Sequence, residues 1–198
     1  MIAKRLFDLL VAIPLVILLL PLMLLMALWI KLGSPGPVLF KQERIGLKGI
    51  PFNILKYRTM RPDSEKEGLR ITVGKDPRIT PSGQVLRACK MDELPQLFNV
   101  IKGDMSLVGP RPEVSEFVAC YTDEEREKVL SVRPGITDYA AIEYRNENAI
   151  LELSDDPRKT YIEEVLPVKI RYYLDYVDQR SLWMDICILF KTAWAIFR

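Results

Sequence analysis

The hydrophobic pattern is dominated by one stretch near the start of the chain, residues 9–30, in which 22 consecutive residues carry no charge. An unbroken helix of that length measures about 33 Å, enough to cross the hydrocarbon core of a bilayer. The run is too long for the core of a signal peptide and no small-residue cleavage site follows it. We therefore expect it to be retained in the protein.

Two features of this stretch are unusual for a plain spanning helix. Pro14 and Pro21 lie inside it, and a proline removes a backbone hydrogen bond and tends to kink a helix. Lys4 and Arg5 precede it and Lys31 follows it, so the tendency of basic flanks to stay in the cytoplasm applies to both ends. A spanning helix and a helix that breaks near Pro21 and returns to the same face both remain open from this pattern.

The rest of the chain, residues 33–198, alternates short apolar segments with polar turns. Periodicity predicts a short strand and turn within 38–46 and a strand at 52–60. It also predicts helices at 83–90, with Ser82 as N-cap, and at 93–101, 116–132, 161–176 and 181–198. The last helix carries an apolar stripe with Trp183 and Trp194, which fits either packing on the domain core or a position in the membrane interface. We predict an α+β protein with short strands, a membrane element at 1–32 and a mixed domain at 33–198.

The absence of histidine narrows the chemistry available to this chain. It excludes Ser-His-Asp and Cys-His nucleophilic systems and any zinc site built on imidazole. Carboxylates without histidine suit a hard cation such as Mg²⁺. The three cysteines, Cys89, Cys120 and Cys187, have no CxxC spacing and fit reduced thiols better than disulfides or metal ligands.

Charge is distributed unevenly although the net charge of the chain is only +2. Residues 31–90 hold 13 Lys and Arg against 5 Asp and Glu, whereas residues 113–164 hold 14 acidic against 6 basic side chains. A basic half suits an anionic partner such as a nucleotide, a lipid phosphate or membrane headgroups. The two halves could equally face each other.

Two adjacent carboxylates, Asp92 and Glu93, stand at the predicted start of a helix, shortly after Arg87 and Lys90. An aspartate there commonly caps the helix, but the same terminus also attracts phosphate. Arg111 follows, fixed between two prolines, and arginine suits bidentate recognition of phosphate. These residues together indicate phosphoryl chemistry, and no Walker or GxGxxG nucleotide motif is present.

The order of short motifs along the chain resembles one family, the bacterial sugar transferases, also called small monotopic phosphoglycosyl transferases. The resemblance covers nearly the whole chain. It rests on the motifs KRLFD (4–8), KYRTM (56–60), DELPQLFN (92–99), KGDMS (102–106), GPRPE (109–113) and VRPGIT (132–137). So many matches in the same order are highly specific.

The resemblance implies transfer of a sugar-1-phosphate from a UDP-sugar to undecaprenyl phosphate with release of UMP. This would be the first membrane step in assembly of a capsule, O-antigen, exopolysaccharide or glycoprotein glycan. By position, Asp92 is the nucleophile that forms a covalent phosphosugar. Glu93 is its partner, linked to Mg²⁺ and to acid/base work, so that the two carboxylates form the expected metal site.

The resemblance also assigns candidate ligands for the diphosphate, the lipid phosphate or uridine: Arg58, Arg87, Arg111, Arg133 and Arg145. It implies the re-entrant form of residues 1–32, with the break at Pro21, and a catalytic domain on the cytoplasmic face of the bacterial inner membrane. The expected partners are the UDP-sugar, undecaprenyl phosphate and membrane lipids, with no nucleic acid. A homo-oligomer is left open.

Two departures from the family pattern concern the helix break and the segment after VRPGIT. Leu20 precedes Pro21 where serine is frequent, and Asp138 and Tyr144 stand where glycine is common. These changes leave the identity of the sugar undecided. A different class also remains open, a catalytically inert membrane adaptor that gathers anionic lipids or partner proteins through its basic region.

Overall fold

The computed structural model describes residues 2–62, 64, 76–144 and 147–196. The elements, in chain order, are α1 Ile2–Gly33, β1 Leu39–Ile45, β2 Pro51–Tyr57, α2 Pro81–Ala88, α3 Gln96–Lys102, β3 Ser106–Val108, α4 Ser115–Val118, α5 Asp123–Val129, β4 Gly135–Thr137, α6 Tyr139–Glu143, α7 Glu147–Glu152, α8 Pro157–Thr160, α9 Leu166–Gln179 and α10 Leu182–Ile196. Mixed helix and strand content is therefore confirmed, with a long apolar helix at the N-terminus.

The helix α1 is long and apolar enough to cross a membrane, and most of its surface is exposed. It runs without interruption through Pro14 and Pro21, so the predicted division into two helices at Pro21 is not observed. Both prolines lie on the exposed side, whereas a stripe that includes Ala12, Met23 and Ile30 is buried against the domain. Continuous packing of that stripe holds the helix together where proline removes single hydrogen bonds.

Polar contacts join the N-terminal end of α1 to the domain. Lys4 Nζ pairs with Asp185 Oδ2 at 2.6 Å, and the Arg5 guanidinium donates to the Val100 carbonyl oxygen at 2.5 Å. The Asp8 carboxylate accepts from the hydroxyl of Ser106 at 3.1 Å. The basic residues predicted to flank a membrane segment thus also fasten that segment to the domain.

The C-terminal end of α1 is joined to the end of β2. Tyr57 donates its hydroxyl proton to the Met23 carbonyl oxygen at 2.8 Å. The next residue, Arg58, donates to the carbonyl oxygens of Ser34 and Pro35 in the turn that follows α1. Both ends of α1 therefore contact the same domain.

The four strands form two small sheets. An antiparallel hairpin pairs β1 with β2, with Phe40 opposite Lys56. A parallel pair joins β3 to β4, and there Gly109 and Gly135 face each other so closely that a Cβ atom on either would overlap the other segment's backbone. Glycine at both positions is what lets the GPRPE and VRPGIT motifs lie side by side.

Several predicted boundaries need correction. Thr80, not Ser82, caps α2, because its Oγ1 accepts the Gly83 N–H at 3.0 Å. The helix predicted at 116–132 is two helices, α4 and α5, and the second begins at a capping box made by Thr122 and Glu125. The predicted helix at 161–176 begins as a π-helical turn, Tyr161–Val165, and then continues as α9.

The helix α10 confirms the predicted C-terminal helix, but its apolar residues do not form the single predicted stripe, and Asp185 is buried beside the core. Ile188 is fully buried in the core cluster that also holds Ala12 and Leu97. Trp183, Phe190 and Trp194 project from the other side and are each more than 70% exposed. Such a row of exposed aromatic side chains suits a membrane interface.

Candidate active site

Asp92 and Glu93 lie in a single 3₁₀ turn, Met91–Glu93, between α2 and α3. Lys90 enters the turn with φ of 56°, in the left-handed region that non-glycine residues rarely adopt. The N-cap position of α3 belongs to Pro95, and no side chain caps it. The helix-capping interpretation of Asp92 is therefore wrong, and its carboxylate is left for another role.

Glu93 is held by two cations from distant parts of the chain. Lys56 Nζ lies 2.8 Å from Glu93 Oε1, and the Arg111 guanidinium binds both carboxylate oxygens, with Nη1 3.2 Å from Oε2. Burial opposes ionisation of Glu93, but the charges of Arg111 and Lys56 outweigh it and hold the pKa of the carboxyl well below its usual range. Glu93 is a carboxylate at any physiological pH.

Asp92 has the opposite environment. Within the described residues no hydrogen bond or ion pair is made by its carboxylate, which is partly exposed. Burial and the neighbouring charge of Glu93 raise the pKa of Asp92, against the lowering effect of Lys56, Arg87 and Lys90. A carboxylate that is reachable and engaged in no direct hydrogen bond is a suitable nucleophile.

Lys56 is a site residue that the sequence reasoning quoted only as part of a motif. It lies on β2 on the same face as Ile54, so the strand's alternation points it toward the turn at Met91–Glu93. Burial lowers the pKa of Lys56, and the charge of Glu93 offsets part of that effect. A lysine at an inward position of a half-buried strand, where an apolar residue is expected, is the signal that could have found it.

Arg87, at the end of α2, confirms the predicted closeness to Asp92. Its Nε donates to Thr59 Oγ1 at 2.9 Å, which fixes the guanidinium on the β2 side of the turn. Burial lowers the pKa of Arg87, and the charge of Asp92 is its strongest favourable electrostatic partner. Lys90 also acts on Asp92, as predicted.

Arg111 reaches the site from the segment after β3. Pro110 and Pro112 restrict the backbone on both sides, and the Arg111 N–H donates to Asp138 Oδ2 at 3.0 Å. The charge of Glu93 raises the pKa of Arg111 beyond its already high value. Arg111 therefore lies beside the carboxylate pair with its guanidinium bound to Glu93, and its predicted contact with phosphate stays a prediction.

The other predicted arginines lie elsewhere. Arg58 is buried with its guanidinium on the turn at Ser34 and Pro35, where it holds α1. Arg133 donates from Nε to the Gly103 carbonyl oxygen at 2.9 Å, at the C-terminal end of α3. Arg145 lies outside the described residues.

A second carboxylate cluster surrounds Glu113, two residues beyond Arg111. Glu113 pairs with Lys169 at 3.2 Å and with Arg44 at 3.6 Å, and it accepts the Tyr161 hydroxyl proton at 2.8 Å. Burial disfavours its charge, but Lys169 and Arg44 more than compensate, so the pKa of Glu113 is lowered. Sequence reasoning assigned no role to this residue.

The donor set at Asp92 and Glu93 fits a magnesium ion only together with substrate oxygens. Among the described residues no group of three or more acidic or cysteine side chains could hold a metal. Mg²⁺ commonly uses one or two carboxylates plus phosphates and water. Asp92 has uncommitted oxygens, and Glu93 accepts three hydrogen bonds where a carboxylate has about four acceptor positions.

This fold and site define a membrane-associated protein that presents one unpaired carboxylate among cations suited to a phosphorylated ligand. The model of the bacterial sugar transferase family matches residues 1–198, so the chain belongs to that family. The predicted membership is thereby confirmed.

Individual relatives carry more specific names. The chain is 41% identical over 191 residues to the UDP-N-acetylgalactosamine-undecaprenyl-phosphate N-acetylgalactosaminephosphotransferase of Aeromonas hydrophila, covering 96% of this chain and 42% of that protein. It is 40% identical over 192 residues to the UDP-glucose:undecaprenyl-phosphate glucose-1-phosphate transferase of Caulobacter vibrioides, covering 96% of this chain and 68% of that protein. The chain thus spans about two fifths to two thirds of the length of these relatives.

Proposed function

We propose that this chain transfers a sugar-1-phosphate from a UDP-sugar to undecaprenyl phosphate and releases UMP. The observation that carries the proposal is the contrast inside one turn: Glu93 is bound by two cations, while Asp92 beside it is ionisable, partly exposed and without a partner among the described residues. The names of the relatives support the same pair of substrates.

In the first step the Asp92 carboxylate oxygen attacks the phosphorus that carries the sugar. A new aspartyl oxygen–phosphorus bond forms while the bond to the bridging oxygen breaks, and UMP leaves with that oxygen and its electron pair. The charges of Lys56, Arg87 and Lys90 surround Asp92 and would attract the diphosphate. Electrostatic stabilisation of this kind does most of the work in phosphoryl transfer.

In the second step an oxygen of undecaprenyl phosphate attacks the same phosphorus. The aspartyl oxygen–phosphorus bond breaks, Asp92 is regenerated as a carboxylate, and the lipid-linked diphosphosugar forms. No proton transfer to the lipid phosphate is needed because its attacking oxygen is already anionic. The ion pairs that keep Glu93 charged also hold Arg111 where the phosphoryl oxygens would pass.

We propose Mg²⁺ as the cofactor, held by Asp92, by the remaining acceptor position of Glu93 and by the diphosphate. When bound, it would neutralise charge on the departing UMP. Because Lys56 and Arg111 already occupy three acceptor positions of Glu93, the ion would depend on the diphosphate for most of its ligands.

We propose that α1 is embedded in the bacterial inner membrane without crossing it, so that the catalytic domain stays on the cytoplasmic face. Contacts from Lys4 at one end and Ser34 at the other go to the same domain, which favours both ends on one side. Labelling of Ala3→Cys and Leu32→Cys, in a background without the natural cysteines, should modify both from the cytoplasmic side. Labelling from opposite sides would show a spanning helix.

The function is tested with purified full-length protein, undecaprenyl phosphate, Mg²⁺ and a panel of UDP-sugars, with UMP as the readout. With at least one UDP-sugar, UMP release should continue over many turnovers when the lipid is present, and without the lipid it should stop after about one equivalent per protein. Lipid binding without UMP release from any sugar would contradict the proposal and favour the membrane adaptor. The relatives' names differ in their sugar, which is why the panel includes both N-acetylgalactosamine and glucose.

A further inference from the structure

Beyond Val108 the segment that carries Arg111 leaves the parallel register and bends back across β4. The Gly109 N–H donates to the Thr137 carbonyl oxygen at 3.1 Å, and the Gly135 N–H donates to the Pro110 carbonyl oxygen at 2.9 Å. The next backbone donor of this segment is the Arg111 N–H, and no backbone acceptor among the described residues receives it.

The Asp138 side chain supplies that acceptor instead. Oδ2 accepts the Arg111 N–H at 3.0 Å, and Oδ1 accepts the Ala141 N–H at 2.6 Å, which caps α6. Asp138 is only 2% exposed, so both donors would lose a partner without access to bulk water if the carboxylate were removed. One buried carboxylate therefore joins the end of the strand pair to the start of a helix.

The Arg111 N–H is the only backbone donor that residues 110–112 can offer, because Pro110 and Pro112 have none. The bond to Asp138 is thus the backbone hydrogen bond that fixes the part of the segment from which the guanidinium extends to Glu93. An error in that backbone position would move the guanidinium away from the carboxylate.

We propose that Asp138 is a positioning residue, which orients Arg111 so that its guanidinium binds Glu93 and the transferring phosphate. The proposal rests on the proposed function and deepens it.

A first test measures the hydrogen exchange of the Arg111 amide, a readout that needs no turnover. In full-length protein in detergent, Asp138→Ala and Asp138→Gly should exchange this amide about tenfold faster or more, since a buried hydrogen bond is lost. Asp138→Asn keeps one acceptor oxygen, so its exchange rate at the Arg111 amide should lie between the rates of these two variants and that of the unmodified protein. Asp156→Ala, which removes the N-cap of α8 at an exposed position, is the matched control and should leave Arg111 unchanged.

A second test measures kcat/KM for UMP release in a double-mutant cycle. Asp138→Ala should lower kcat/KM about tenfold or more, and the same change in an Arg111→Gln background should cause little further loss, because both act through one guanidinium. Asp156→Ala should keep full activity. If Asp138→Ala does not fold, Asp138→Asn takes its place in both tests, with the same direction expected at smaller size.

The outcomes separate this proposal from the function itself. Absence of UMP release by the unmodified protein would reject the proposed function, whereas the exchange test of Asp138 would still apply. Unchanged Arg111 exchange in the Asp138 variants, unchanged kcat/KM, or additive losses in the cycle would each overturn the positioning role.

Discussion

Glu93 and Glu113 lie in two clusters of nearly the same composition, each held by one lysine and one arginine. Lys56 and Arg111 bind Glu93, while Lys169 and Arg44 bind Glu113. The clusters differ in the access to their carboxylate and lysine: Glu93 and Lys56 are 18% and 20% exposed, whereas Glu113 and Lys169 are 5% and 8% exposed. The two arginines, Arg111 at 30% and Arg44 at 20%, are both partly exposed.

They differ also in what stands beside the pair. Tyr161 fills a further acceptor position on Glu113 and closes that cluster. In the Glu93 cluster, Asp92 adds a second carboxylate, which has no partner among the described residues. Two further cations, Arg87 and Lys90, act on Asp92. An ion pair by itself therefore does not indicate a functional site. Several cations around a carboxylate that makes no direct ion pair do indicate one.

The largest effect is expected for Asp92→Asn, which removes the nucleophile. UMP release should fall at least about 10³-fold, because a neutral amide cannot form the phosphosugar intermediate. The substitution is nearly isosteric, so folding is not the cause of the loss. Asp123→Asn, at an exposed position on α5, should keep full activity.

The same variant should be more stable than the unmodified protein. The pKa of Asp92 is higher in the folded protein than in the unfolded chain, so the folded state holds the proton more tightly. The free energy of unfolding therefore falls as pH rises from the unfolded-state pKa through the folded-state pKa. At neutral pH the ionised Asp92 destabilises the protein. Asp92→Asn removes this cost and should raise the midpoint of thermal unfolding at pH 7. A lower midpoint would show that Asp92 has a structural partner.

Substitution of Glu113 should mainly lower stability, whereas substitution of Glu93 should mainly lower activity. Glu113→Gln leaves the buried Lys169 and the half-buried Arg44 without their anion and should cost about 3 kcal/mol, or a fall of roughly 6–12 °C in unfolding midpoint. Glu93→Gln, in the more exposed cluster, should cost only about 1–2 kcal/mol but reduce kcat/KM about 100-fold. Equal losses of stability in Glu113→Gln and Glu93→Gln would contradict the distinction drawn between the Glu113 cluster and the Glu93 cluster.

The pH dependence of kcat/KM tests the charges around Asp92 and Glu93 with a smaller expected effect. Asp92 must be ionised to attack, and its raised pKa places the acid limb of kcat/KM above the range of an ordinary aspartate. Since the charge of Glu93 raises that pKa, Glu93→Gln should move the limb to lower pH. Lys56 lowers it, so Lys56→Met should move the limb to higher pH, and Glu124→Gln should leave it in place.

Much of the architecture could be predicted because it depends on local pattern. The uncharged run predicts α1, alternation predicts the second strand of the hairpin, and the spacing from Arg87 to Asp92 predicts their closeness. These features need only periodicity and the geometry of neighbouring residues.

What sequence reasoning missed depends on contacts between distant segments. Lys56 binds Glu93 only because the hairpin packs on the turn, and no local pattern specifies that pairing. Arg58 was predicted as a phosphate ligand, yet the end of α1 takes its guanidinium. Charged residues in a motif reveal that a contact exists but not which partner receives it.

The most direct measurement is the mass of the intact protein after brief reaction with a UDP-sugar and Mg²⁺ in the absence of undecaprenyl phosphate. We predict that the intact mass increases by one sugar-phosphate, which proteolysis locates on the peptide that contains Asp92. The adduct should disappear when the lipid phosphate is supplied and should not form in Asp92→Asn. UMP release with lipid present but no such adduct would contradict this prediction, since the lipid would then attack the UDP-sugar directly.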